Sequence, residues 1–150
     1  MGPLKIPDTI FSGNDQETRS VGRELVRILC PGDVVSLEGE LGAGKTQLVK
    51  GVAEGMGIDP ESQVFSPTFS IINVYEGKQV LYHIDLYRLG EDWDELSRTG
   101  IFDVIGGEGV ALIEWGDRAK NYLPKNTIRI ILKILNDNDR EIKMLRGWSN

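Results

Sequence analysis

Apolar positions in this chain follow two rhythms, and the change falls near Phe65. Before it the spacing is helical, broken by short apolar runs. Thr9–Ser12 fits a brief first strand. Asn14 with Glu17 three residues later has the form of a capping box, and Val21, Leu25, Ile28 and Leu29 recur on one helical face behind it. Pro31-Gly32-Asp33 stops that helix. Val34–Leu37 is a compact apolar run, followed by a Gly-rich turn and a second helix reaching about Met56, where Gly57 and Pro60 end it.

After Phe65 the pattern turns to strands. Phe69–Tyr75 and Gln79–Ile84 flank Glu76-Gly77-Lys78, a three-residue hairpin loop with glycine. An acidic helical piece, Glu91–Thr99, is cut by Gly100, and Ile101–Ile105 continues as a short helix. Val110–Ile113 suits a central parallel strand. A short helix around Asp117–Tyr122 precedes Pro124, and two closing strands, Thr127–Leu135 and Arg140–Leu145, join through Asn136-Asp137-Asn138-Asp139. The pattern predicts an α/β fold with a mixed sheet: parallel core strands, an antiparallel hairpin and flanking helices. With no internal repeat or low-complexity linker, residues 1–150 are expected to form a single domain.

Composition narrows the classes. Hydrophobic content of 40% and charged content of 27% are those of a globular chain. The balance of 17 Lys+Arg against 23 Asp+Glu gives a formal charge of −6, and no basic run appears. A broad nucleic-acid-gripping face is therefore not expected. The lone cysteine, Cys30, makes neither an internal disulfide nor a metal cluster and is expected to be a buried or half-buried structural thiol. The first residues lack a signal-peptide core, and no run approaches membrane-spanning length, so a cytoplasmic location is expected.

Candidate chemistry begins at Gly39-Glu40-Leu41-Gly42-Ala43-Gly44-Lys45-Thr46, which has the form G-x-x-x-x-G-K-[ST] between a predicted strand and helix. Gly39, Gly42 and Gly44 let successive N–H groups turn inward around phosphate oxygens, and the helix start adds its positive dipole end. Lys45 supplies a point charge for the β- and γ-phosphates, and the Thr46 hydroxyl is a hard ligand for Mg²⁺. The expected nucleotide-contacting set is Gly39, Leu41, Gly42, Ala43, Gly44, Lys45, Thr46 and Gln47.

Hydrolysis also needs metal ligands and a group to hold the attacking water. Asp85 and Glu114 each follow an apolar strand, and ligands gather at the C-terminal edge of parallel sheets. One carboxylate would hold Mg²⁺ while the other orients water; the residues alone leave open which does which. Ser66-Pro67-Thr68 by itself reads as a common turn. His83, the sole histidine, is expected to be packed or hydrogen-bonded rather than a catalytic base. Arg88 is expected to pair with a carboxylate, and Trp115 to pack or wall the pocket.

Together with His83-Ile84-Asp85-Leu86-Tyr87-Arg88-Leu89 and Ile113-Glu114-Trp115, these segments resemble the TsaE (YjeE) family of small bacterial ATPases, across nearly the whole chain. The resemblance implies ATP and Mg²⁺ as cofactors and a role in the threonylcarbamoyladenosine modification of tRNA. It implies ATP hydrolysis that supports turnover of the TsaB–TsaD pair, with no stable tRNA binding by this chain alone. It also implies Thr46 and Asp85 as Mg²⁺ ligands, Glu114 as a metal-site or water-positioning carboxylate, and Lys45 with Asp85 and Glu114 as the catalytic set. It adds Thr68 and Trp115 to the expected nucleotide-contacting residues, with Trp115 in the same pocket, Thr68 and Arg88 near the γ-phosphate or the partner surface, and Thr18 near the base.

Three rival readings remain at this level. A small-molecule kinase would carry an arginine-bearing lid where this chain predicts a hairpin and an acidic helix. A regulatory GTPase would carry an N-K-x-D segment, which the sequence lacks. A binding module holding nucleotide as a plug would not depend on Asp85 or Glu114.

Overall fold

Two strands, β2 (Val34–Glu38) and β5 (Val110–Glu114), are buried at nearly every position and run side by side in parallel. Strands covered on both faces need apolar residues at consecutive positions, which is why these two read as unbroken apolar runs. The structure, a computed structural model, describes residues 3–59 and 71–148. Around the central pair stand β1 (Asp8–Ser12), β3 (Ile72–Glu76), β4 (Val80–Asp85), β6 (Ile128–Ile134) and β7 (Arg140–Arg146). They form one seven-stranded sheet in the order β1-β7-β6-β2-β5-β4-β3. The four inner strands β6, β2, β5 and β4 are parallel, and antiparallel pairs close both edges. The fold is the mixed α/β sheet with a parallel core and a hairpin that the pattern predicts.

Alternation along the strands sends side chains to two separate cores. On one face Val35, Leu37, Leu81 and Leu112 pack with Val21, Leu25, Leu48 and Val52 from α1 (Asp15–Leu25) and α2 (Lys45–Gly55). On the other, Ile84, Ala111 and Ile113 pack with Leu96 and Ile101 from two short helices, α3 (Trp93–Ser97) and α4 (Ile101–Val104). A 3-10 helix, Gly116–Tyr122, follows β5 and adds Ala119 to the second core.

The cap at Asn14 forms: its side chain accepts the Glu17 N–H at 2.9 Å. Glu17 reaches back to the Gly13 N–H at 2.9 Å, one residue short of the usual box. The α-helix behind it ends at Leu25, earlier than the apolar spacing suggests. Val26–Ile28 tightens into a 3-10 turn that still brings Leu29 to the core. Cys30 corrects an expectation, because it is exposed. Its N–H bonds the Asp33 carboxylate at 2.8 Å and the Asp33 N–H returns to its carbonyl at 3.0 Å, so the residue sits on a surface turn. The first hairpin strand begins at Ile72 among the described residues, whereas Phe69 and Ser70 of the expected span lie outside them.

α1 and α2 meet through Gly22 and Gly51. A Cβ at Gly51 would lie 2.0 Å from the Arg19 carbonyl oxygen, and one at Gly22 would lie 2.3 Å from that of Leu48. Both obstacles are backbone, so neither can swing aside. Gly51→Ala should therefore destabilise the fold by about 3 kcal/mol, the upper range of overpacking effects. A lowered urea midpoint with an unchanged slope would report it. No helix among the described residues is long and apolar enough to cross a membrane.

Candidate functional site

The C-terminal ends of β2, β4 and β5 come together at one edge of the sheet. Register places Asp85 beside Glu114 and Glu114 beside Leu37. Beyond β2 the chain enters the glycine loop, and α2 begins at Lys45 with Gly44 as its left-handed cap at φ 105°. At Gly39, φ is 149° and a Cβ would stand 2.5 Å from the Leu132 carbonyl oxygen. Only glycine lets the loop pass this close to β6.

Lys45 lies over this loop. Its Nζ donates to the Gly39 carbonyl and, at 3.1 Å, to that of Glu40, and it stands 4.1 Å from the centre of the Trp115 ring. Burial holds its pKa below the ordinary lysine value, while Glu114, Asp85 and Asp117 pull the other way. Three carboxylates therefore face one partly desolvated ammonium.

Asp85 accepts the Tyr87 N–H at 2.9 Å. Its pKa is raised, first by burial, against the Tyr87 hydrogen bond, with Glu114 adding to the rise and His83 and Lys45 opposing it. The ionised form is thus disfavoured in the fold relative to the unfolded chain. That cost is absent below the ordinary aspartate pKa, where the group is protonated in both states, and is complete above the raised folded value. Asp85→Asn should accordingly raise the melting temperature at neutral pH, by on the order of 2 °C. The gain should shrink as pH falls through that window, which thermal melts at stepped pH would follow.

Glu114 is buried at 4% exposure, and its Oε2 lies 2.6 Å from Nε2 of His83, which has no exposure at all. The next residue, Trp115, turns left-handed at φ 60°, the one non-glycine with positive φ among the described residues. Its N–H still bonds the Leu37 carbonyl at 2.9 Å, so the chain remains attached to the sheet while the ring turns over the site. The ring meets Tyr87 at 5.3 Å and the Arg118 guanidinium at 5.1 Å. Arg118 donates to the carbonyls of Leu86 at 2.9 Å and Leu89 at 2.8 Å, and also to that of Tyr87. It ties the 3-10 helix after β5 to the turn after β4.

These groups enclose a cleft of about 400 Å³. Gly42, Gly44, Lys45, Thr46 and Gln47 line one side and Asp85, Glu114 and Trp115 the other, with Leu41 at the lip, 63% exposed. Sequence reasoning missed Asp15 and Tyr87 in this lining, and Arg118 behind it. Gly39 and Ala43, expected among the contacting residues, do not line the cleft. The Gly39 carbonyl holds Lys45, while the Ala43 methyl is buried and its N–H bonds the Glu40 carbonyl at 3.1 Å. Arg88 is exposed on the turn and stays out of the cleft lining. Thr18 is buried beside the loop, its hydroxyl 2.7 Å from that of Ser12, and borders a second cavity of about 530 Å³ next to Gly44. Thr68 lies outside the described residues.

Among the described residues, no three His, Cys, Asp or Glu side chains gather as a metal cage. The strand-end carboxylates of Asp85 and Glu114 and residue Thr46 line one cleft, however, with Asp15 also in the lining. That sparse set of hard oxygens suits an ion that takes its remaining ligands from phosphate and water.

Comparison with known proteins gives consistent results. The family profile described as threonylcarbamoyl adenosine biosynthesis protein TsaE matches residues 12–142. The tRNA threonylcarbamoyladenosine biosynthesis protein TsaE of Treponema pallidum (strain Nichols) is 44% identical over 133 residues, 87% of this chain and 95% of that protein. The protein of the same name from Bacillus subtilis (strain 168) is 42% identical over 130 residues, 86% of this chain and 79% of that one. The crystal structure of Bacillus subtilis YdiB superposes with a TM-score of 0.74 at 33% identity, covering 96% of this chain and 90% of that one. On its sequence and its sheet alike, the chain belongs to the TsaE family.

Proposed function

We propose that this chain is a Mg²⁺-dependent ATP hydrolase that serves the threonylcarbamoyladenosine modification of tRNA by supporting turnover of the TsaB–TsaD pair. The observation that carries the reading is the facing of Asp85 and Glu114, register neighbours on β4 and β5, with the glycine loop across one cleft. A loop alone binds phosphate; carboxylates opposite it supply what hydrolysis adds. The family assignment supplies the biological process.

In this reading the loop N–H groups and the start of α2 receive the phosphates, and Lys45 leaves the Gly39 and Glu40 carbonyls to neutralise them. Thr46 and one carboxylate would hold Mg²⁺, which would supply charge neutralisation for the phosphates. The other carboxylate orients the attacking water. Trp115 and Tyr87, braced by Arg118, shield the cleft, and shielding strengthens each of these interactions. With a formal charge of −6 the chain is suited to protein partners rather than to holding tRNA alone.

ATPase assays of the chain alone and with the purified pair test the proposal. Slow hydrolysis alone and a faster rate with the pair are expected; equal rates would remove the partner role. Rapid phosphoryl transfer to a small acceptor would replace the reading with a kinase. Tight tRNA binding by the chain alone at physiological salt would overturn the division of labour.

A further inference from the structure

The buried contact between His83 and Glu114 has no part in the sequence motifs' usual accounting of phosphates and metal. β4 alternates Leu81, His83 and Asp85 to one face, and β5 sends Val110, Leu112 and Glu114 to the same face. His83 pairs in register with Leu112, one step deeper than Glu114, so the ring sits beneath the cleft floor. It is wholly buried, does not line the cleft, and has Nε2 2.6 Å from Glu114 Oε2. Its Nδ1 has no hydrogen-bond partner among the described residues.

We propose that His83 is a positioning residue for Glu114: its Nε2–H fixes one carboxylate oxygen from below and so sets the orientation in which Glu114 meets the cleft. A glutamate has three rotatable bonds, and here it stands beside a like-charged register neighbour, Asp85, and near the Lys45 ammonium. Lys45 attracts this carboxylate and Asp85 repels it, so both pull on where Glu114 points. A hydrogen bond as short as 2.6 Å, made inside a core, overrides both. A bare packing role accounts poorly for a histidine here, because an apolar side chain would fill the space without burying an unpartnered Nδ1. Outer partners that hold a ligand or water-orienting group this way typically matter about 10- to 100-fold in activity.

The proposal rests on the ATPase reading, and its test separates the two. Three variants differ in what they offer Glu114. His83→Gln places an amide N–H near the Nε2 position; His83→Asn has similar polarity but its amide reaches only the Nδ1 position; His83→Leu offers no donor. Each is assayed as the full chain with the partner pair for kcat, for affinity to a non-hydrolysable ATP analogue, and for melting temperature. Positioning predicts that Leu and Asn lower kcat by about 10- to 100-fold with analogue affinity kept within about 2-fold, while Gln stays within about 3-fold of wild type. Equal kcat in all three, or losses that follow melting temperature rather than the presence of the donor, would overturn it. An inactive wild-type chain would instead sink the ATPase reading.

Discussion

Lys45→Ala is expected to lose triphosphate binding, with an affinity drop of at least about 100-fold, since a charge-assisted contact to phosphate in a shielded cleft disappears. The ammonium is held by two carbonyls and a tryptophan face, so its charge is stored at the cleft rather than dispersed in solvent. The variant should nonetheless fold. Burial already disfavours the charged lysine, and the Glu40 carbonyl keeps the Ala43 N–H as a partner when the ammonium is gone. Calorimetric titration with a non-hydrolysable analogue, beside a melting curve, separates lost binding from lost structure. Unaltered affinity would show that the glycine loop is not the phosphate cradle.

Glu114→Ala is expected to behave in the opposite way: binding near wild type and turnover lower by about 100- to 1,000-fold, the scale of losing a preorganised group that acts as charge develops. Alanine also strands the buried His83 N–H, which costs about 1–3 kcal/mol. Glu114→Gln is the cleaner probe because its amide oxygen can still accept that N–H. It should keep the wild-type melting temperature while losing most turnover, read in single-turnover assays with the partner pair. Wild-type turnover in Glu114→Gln would leave Asp85 as the carboxylate that matters, and wild-type turnover in Asp85→Ala as well would favour a nucleotide that only plugs the fold.

The parts legible in the sequence are those that local chemistry decides. Val34–Leu37 and Val110–Ile113 read as central strands because burial on both faces removes polar alternation. Asp85 and Glu114 read as candidate site residues, and both line the cleft, because a carboxylate at the end of such a run must emerge at the sheet's C-terminal edge. What stayed hidden depends on which strands become neighbours. Nothing within His83–Leu89 says that position 83 will lie under position 114; the parallel register of β4 and β5 decides it. Arg118 was invisible for a similar reason, since its partners are carbonyls about thirty residues away, and carbonyls leave no mark in a sequence. Cys30 misled because a thiol is usually inside, whereas its turn is set by the carboxylate of Asp33.

The glycine contact between α1 and α2 has a consequence for any map of tolerated substitutions. α2 begins at Lys45, so whatever pushes its middle turn off Arg19 also displaces the end that faces the cleft. Positions 22 and 51 carry no side chain and do not line the cleft. A selection that scores only nucleotide occupancy would still mark both as intolerant, alongside Lys45 and Thr46. Read by phenotype alone, two points of pure backbone clearance would be mistaken for chemistry.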